Sequence, residues 1–170
     1  TSRANNITVK NAVINTTGAL FGGIQNAVLS NFSLQGEIYA RSGGVGSSGI
    51  SSGVQAGRIE DGLVIVKIEA DAFTQYQAGG VYNFVDSKMR RVGVIGDVSG
   101  GRYTGGVTSR LYNSDVSEVF FIGNLSGTSY VGGLAARVSN SNVSKAFVIA
   151  DIDNTTSYAA GLIAYDDHPF

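Results

Sequence analysis

The sequence predicts an all-β protein, a right-handed parallel β-helix (solenoid) of about six coils. One segment is written three times at a constant spacing, at positions 89–107, 116–135 and 143–162. The apolar runs are short, rich in Val, Ile, Phe and Thr, and interrupted by Gly in every copy. These features predict short strands with turns at a fixed period, and parallel crossovers are generally right-handed.

The coils are counted by the second glycine of a small-residue turn. An aliphatic residue follows each such glycine, which predicts an inward-facing ladder. The markers are Gly23, Gly44, Gly80, Gly106, Gly133 and Gly161. Their spacing is uneven over the first three markers and nearly constant over the last four, so six imperfect units fill nearly the whole chain.

Residues one period apart distinguish a parallel solenoid from an antiparallel sandwich. In a solenoid such residues stack about 4.8 Å apart, so each column should contain compatible side chains. The predicted columns are Arg91, Glu118, Lys145; Asp97, Asn124, Asp151; Val94, Phe121, Val148; Val98, Leu125, Ile152; and Gly96, Gly123, Ala150. A sandwich gives no reason for this matching, and helical repeats would need longer stretches free of Gly.

The first half of the chain is less regular than the second. Residues 7–24 and 28–45 read as shorter coils, and residues 59–81 carry extra residues around 72–77. Residues 46–57, GSSGISSGVQAG, read as a Gly/Ser loop on the surface. Residues 1–170 are therefore predicted to form one domain.

Composition excludes several classes of protein. Hydrophobic residues make up 43% of the chain and charged residues 15%, which argues against disorder. The net charge of −1 without a basic run argues against nucleic-acid binding, and no apolar segment is long enough for membrane insertion as a helix. The chain has no Cys, which rules out disulfides and thiolate metal sites. It begins at Thr1 with neither a Met nor a signal-like region, so we expect a piece of a larger protein.

Two glycine-rich repeats carry a family resemblance. They are FFIGNLSGTSYVGGL at 120–134 and, less closely, GVIGDVSGGRYTGGV at 93–107. This pattern resembles the GLUG repeat of the β-helical, non-catalytic N-terminal regions of immunoglobulin A1 protease-family zinc metallopeptidases (streptococcal type) and of other bacterial surface proteins. The last unit departs from it, with Ala159-Ala160-Gly161, and the first two units lack the Ser-Gly turn.

The resemblance implies a function without catalysis in this chain. It implies a spacer or a substrate- or host-protein-binding module of a large secreted zinc metalloendopeptidase at the surface of a Gram-positive bacterium. The zinc would belong to a separate catalytic domain, because the sequence has no His-Glu-x-x-His motif, so we expect no cofactor here. The partners would be flanking domains and a host glycoprotein or glycan. The alternative is an adhesin-type module without a protease domain. An enzyme acting on polysaccharide is disfavoured, because no acid/base cluster is visible.

Two apparent sites are interpreted as structural. Residues 44–49, GVGSSG, match the spacing of a dinucleotide fingerprint, but Gly and Ser follow where that fingerprint needs a helix. His168, beside Asp166 and Asp167, offers too few ligands for zinc and is expected in an exposed tail. We therefore predict no catalytic, cofactor-binding or metal-binding residue.

Two columns remain as candidate surfaces. Asp97 and Asp151, with Asn124 between them, could be paired acids or calcium ligands, but a solvated polar ladder is the preferred interpretation. Tyr103, Tyr130 and Tyr158 form an aromatic column that either buries ring area or, if exposed, grips glycan or protein. Six Asn-x-Ser/Thr sequons suit the turns without glycosylation. They begin at Asn6, Asn15, Asn31, Asn124, Asn142 and Asn154.

Overall fold

The computed structural model describes residues 2–14, 19–40, 47–70, 76–154 and 157–167. Their strands form three parallel sheets that share one apolar interior. The first sheet contains β1 (Ser2–Ile14), β3 (Ala27–Ala40), β5 (Arg58–Ala70), β8 (Lys88–Ser99), β11 (Asp115–Gly127) and β14 (Asn142–Asn154). The second contains β2 (Ala19–Gln25), β4 (Ser48–Gln55), β7 (Val81–Val85), β10 (Thr108–Tyr112), β13 (Ala135–Ser139) and β16 (Ile163–Asp166). The third contains β6 (Tyr76–Ala78), β9 (Tyr103–Gly105), β12 (Tyr130–Gly132) and β15 (Tyr158–Ala160).

Strands β1 to β4 alternate between the first and second sheets, and from β5 the chain visits the first, third and second sheets in turn, so the fold is a parallel β-solenoid, as the sequence predicts. Six strands stack in the first sheet, and six rungs correspond to about five full turns. The last rungs keep the constant period seen in the sequence, since Lys88 pairs with Asp115 and Asp115 with Asn142. The middle rungs have a slightly longer period, in which Val28 pairs with Arg58 and Arg58 with Lys88, and the first rung has a shorter one, in which Ser2 pairs with Ala27.

The predicted columns lie in register. Val94 pairs with Phe121 and Phe121 with Val148, and the other apolar and small-residue columns follow the same pairing. Phe121 and Val94 are fully buried, whereas Val148 in the last rung is half-buried because no coil covers it. Stacking of aliphatic and aromatic side chains along the axis therefore forms the core.

Two of the glycine markers were wrong. The column at this corner is Gly49, Gly79, Gly106, Gly133 and Gly161. Gly80 lies one place further, where Val107 is its neighbour, and Gly23 lies opposite Gly53 in a different column. Gly44 lies outside the described residues. A Cβ on Gly106 would meet both the carbonyl of Gly133 and the ring of Phe121, so this corner requires glycine.

The aliphatic ladder predicted behind the markers is corrected with them. Val81 pairs with Thr108 and Ile24 with Val54, so neither of them shares a column with Val107. Val107 and Leu134 do meet, because the amide of Val107 donates to the carbonyl of Leu134 across 3.0 Å. Val81, Val107 and Leu134 are buried, so they face inward without forming one column, whereas Leu162 is exposed.

The Gly/Ser segment predicted as a surface loop is mostly a strand. Ser48–Gln55 forms β4, which pairs with β2 and β7 and is largely buried. Its serines can lie inside because their hydroxyls donate to main-chain carbonyls, from Ser48 to Ser51 at 2.5 Å and from Ser51 to Gly53 at 2.8 Å. The Gly/Ser composition led to the wrong prediction of a surface loop. Small hydroxylated residues fit a narrow interior when main-chain carbonyls accept their hydrogen bonds.

The long strands of the first sheet bend at one fixed position in every rung. The residues there are Asn6, Asn31, Asp61, Arg91, Glu118 and Lys145, with φ between 50° and 58°. A second left-handed column stands at the turn before this sheet, at Asn26, Ala56, Asp86, Asn113 and Asn140. Asn and Asp tolerate this backbone region best, which accounts for two of the sequons by geometry alone.

A column of serines closes the corner next to that turn. The hydroxyl of Ser87 accepts from the amide of Gly57 at 3.0 Å, and the hydroxyl of Ser114 accepts from the amide of Ser87 at 3.1 Å. Ser141 continues the pattern by accepting from the amide of Ser114 at 3.0 Å. Each hydroxyl also donates to the carbonyl two residues before it, so these serines both donate and accept within the corner.

Candidate functional site

The tyrosine column exists and its rings are stacked. The centroids of Tyr103 and Tyr130 are 4.9 Å apart with planes within 7°, and those of Tyr130 and Tyr158 are 5.0 Å apart within 9°. The third sheet places them, since its short strands bring these residues into register. Because stacked rings hide their faces, only ring edges and the last face are open to a ligand.

Exposure along this column rises towards the last rung. Tyr103 is 6% exposed and Tyr158 is 54% exposed. The guanidinium of Arg110 lies 4.7 Å from the Tyr103 ring centroid, and that of Arg102 lies 5.2 Å away. The predicted binding surface at Tyr103, Tyr130 and Tyr158 is therefore accessible mainly at Tyr158, and a ligand role for it stays a prediction.

The acidic column forms a polar ladder on the outer face of the first sheet. The amide of Asn124 donates to Asp97 across 2.7 Å, and Asp151 follows in register. Together with Ser99 and Ser126 this column borders a shallow groove of about 330 Å³. Among the residues that the structure describes, no group of three or more acids or histidines is placed to hold a metal ion.

The column predicted to alternate in sign makes ion pairs across rungs. Lys145 Nζ lies 3.8 Å from the Glu118 carboxylate, but Arg91 pairs with Asp61 of the rung below. The hydrogen bond from Arg91 holds the pKa of Asp61 below its usual value. Arg90 takes the place beside Glu118, at 3.1 Å. These pairs are exposed, and each contributes little to stability.

The remaining candidates lie at the limit of what is described. Of residues 44–49, only Ser47–Gly49 are described, and they lead into strand β4 instead of the helix that dinucleotide binding needs. His168 lies outside the described residues, as does Asn15 among the sequons. Asp167 next to the tail is half-buried, and its carboxylate binds the guanidinium of Arg137. That hydrogen bond lowers the pKa of Asp167.

A groove on the outer face of the second sheet was not predicted from the sequence. It runs along the axis between two columns of outward side chains. One column is Gly23, Gly53, Asn83, Arg110, Arg137 and Tyr165, and the other is Gln25, Gln55, Val85, Tyr112 and Ser139. The recurrence of glutamine at Gln25 and Gln55 was the available signal, but the glycine markers had not aligned Gly23 with Gly53, which is its partner in the sheet.

The first sheet has an apolar stripe on its outer face. Ile65, Ile95, Ile122 and Ile149 form one column, and Phe120 stacks on Phe147 beside it, with centroids 5.1 Å apart. Exposure is greatest at Ile149, at 62%. Outward apolar residues of this kind were not predicted, because continuous runs such as VIVKI do not reveal which face is covered.

Comparison with known proteins gives no relative. No family model matches the chain, and no curated protein or solved structure matches it. None of the described residues belongs to a helix long and apolar enough to cross a membrane. The class of protein is thus established by its fold alone, as a parallel β-solenoid.

Proposed function

We propose that this chain is a non-catalytic spacer and binding module of a larger secreted protein at a bacterial cell surface. The observation that carries the proposal is the continuous parallel pairing from β1 to β14, in which each rung pairs only with its neighbours. A stack of this kind gives length in proportion to the number of coils. Five steps of about 4.8 Å separate its first and last rungs by about 24 Å.

The GLUG-like segments favour a parent protein of the immunoglobulin A1 protease type. In such a parent, zinc and catalysis belong to another domain, and this module positions that domain or a host glycoprotein. An adhesin without a protease domain is the second candidate, which the outward apolar and aromatic side chains favour. The full-length gene separates them, since a downstream His-Glu-x-x-His helix is required by the first and absent from the second.

The spacer role is tested by deleting one coil. Removal of Asp115–Ser141 joins Ser114 to Asn142 and preserves the register, because each residue of Asn142–Asn154 lies one full period after its counterpart in β11. The chain has no Cys, so single cysteines at Asn5 and Ser144, which share a column, can be spin-labelled cleanly.

Pulsed electron paramagnetic resonance then measures the distance between the two spin labels along the solenoid axis. We expect the distance between the labels to fall by about 4.8 Å on deletion, with the β circular dichroism spectrum retained. An unchanged distance, or loss of the fold, would reject a modular spacer. In the full-length protein, deletion should alter the reach of the flanking domain, whereas surface substitutions at Ile149 or Tyr158 should leave that reach intact.

A further inference from the structure

The groove on the second sheet has a continuous floor across several rungs. Its wider part, of about 420 Å³, is lined by Gln25, Gln55, Gly53 and Asn83 among others. A narrower part, of about 280 Å³, shares Asn83 and continues to Tyr112. The two parts form one channel parallel to the axis. From Gln25 to Ser139 the channel crosses four strand spacings, or about 19 Å.

Neither the backbone conformation nor the packing requires glycine at the floor of the groove. Neither Gly23 nor Gly53 has a positive φ that excludes other residues. A Cβ on Gly23 would meet no atom within 4 Å, and one on Gly53 only the carbonyl of Asn83 at 3.9 Å. This contrasts with Gly106, which the packing requires. Glycine within a strand commonly marks a place where a ligand approaches the backbone closely.

The wider part of the groove presents neutral hydrogen-bonding groups, whereas the narrower part carries an aromatic ring together with Arg110 and the ion pair of Arg137 with Asp167. Within the described part of the chain, no hydrogen bond engages the side-chain amides of Gln25, Gln55 and Asn83. An amide donates and accepts at once, as does a sugar hydroxyl, so rows of amides complement rows of hydroxyls. Tyr112, which is 54% exposed, offers a rigid amphipathic face at the narrower end.

We propose that this groove binds a linear, neutral glycan chain lying along the solenoid axis. Gln25, Gln55 and Asn83 bond its hydroxyls, Gly23 and Gly53 admit it to the backbone, and Tyr112 packs on a sugar ring. This proposal rests on the binding half of the proposed function and gives it a site and a ligand class. An extended peptide is disfavoured, because peptides join sheets at an edge strand, and here the groove crosses the strands on a face.

The test is calorimetric titration of the whole chain with three neutral hexasaccharides, of glucose, of mannose and of N-acetylglucosamine. We expect one of them to bind. Gln55→Ala and Asn83→Ala should each weaken that binding about fivefold, through loss of a hydrogen bond. Gly53→Leu should fill the floor and weaken it more than about tenfold while the fold persists, because the site has room for the side chain.

Gln35→Ala is the matched control, since Gln35 is an exposed amide on the first sheet. It should bind like the parent chain. Binding of none of the three glycans, equal binding by Gly53→Leu, or preferential binding of an extended peptide would each overturn the proposal. The spin-label distances distinguish failure of the glycan proposal from failure of the spacer role. If the labelled chain keeps its expected distances but binds no glycan, the groove proposal is rejected and the spacer role is not.

Discussion

Phe121→Ala tests the core packing at one of its two largest fully buried side chains. Phe121 is fully buried, stacks between Val94 and Val148, and lies against Gly106, which has no side chain to fill a hole. The truncation removes a buried ring and leaves a cavity walled partly by main chain, which relaxes poorly. We therefore expect the free energy of unfolding to fall by about 3–5 kcal/mol.

The matched control is Phe147→Ala in the next rung. Its ring is 50% exposed and touches Phe120 on the outer face, so its loss should cost about 1 kcal/mol or less. Guanidinium denaturation followed by circular dichroism measures both variants, and amide exchange shows whether one coil opens before the rest. Equal costs for the two truncations would refute the assignment of inner and outer faces.

Three other substitutions test particular ladders. Gly123→Ala should cost about 1–3 kcal/mol, because φ is +150° and the new Cβ meets a carbonyl of the rung below, whereas Ala150→Gly should change stability by less than about 1 kcal/mol. Tyr130→Ala loses two ring stacks and should cost about 2–4 kcal/mol, whereas Tyr130→Phe should be nearly neutral. At pH values above the ordinary carboxyl pKa of 3.8, Asp167→Asn should destabilise the chain, because Arg137 lowers the folded-state pKa of Asp167. That contribution is lost as pH falls through the lowered pKa, so the difference between the two proteins should shrink in acid.

Denaturation midpoints measured for each pair, and at several pH values for Asp167→Asn, decide these cases. A neutral Gly123→Ala would contradict the left-handed main chain at that position. Equal losses in Tyr130→Ala and Tyr130→Phe would assign the effect to the hydroxyl instead of the stack. A stability difference that does not change with pH would show that the ion pair of Asp167 does not cause it.

The second half of the fold was predictable from the sequence because its period is constant. Val94, Phe121 and Val148 can be aligned by counting along the chain, and compatible side chains then identify a parallel stack. In the first half the period changes from rung to rung, and one misplaced glycine shifts every column. Gly23 was a reasonable marker by composition but not by register, because it pairs with Gly53 outside the corner column.

The parts that could not be predicted depend on main-chain conformation and on covering surfaces. Arg91 and Lys145 give no sign of a left-handed backbone, yet both adopt it because the stack imposes one bend on every rung. The groove on the second sheet depends equally on which glycines are packed and which are open. Gly53 and Gly106 look alike in the sequence, and only the surrounding atoms separate them.

The serine column at the corner gives the stack a direction. The amides of Gly57, Ser87 and Ser114 are each protected by a hydroxyl belonging to the following rung. Fraying that starts at the last coil therefore exposes these amides to solvent one after another, with Ser114 first and Gly57 last. In hydrogen–deuterium exchange, the order in which these three amides exchange therefore shows from which end the coils unfold.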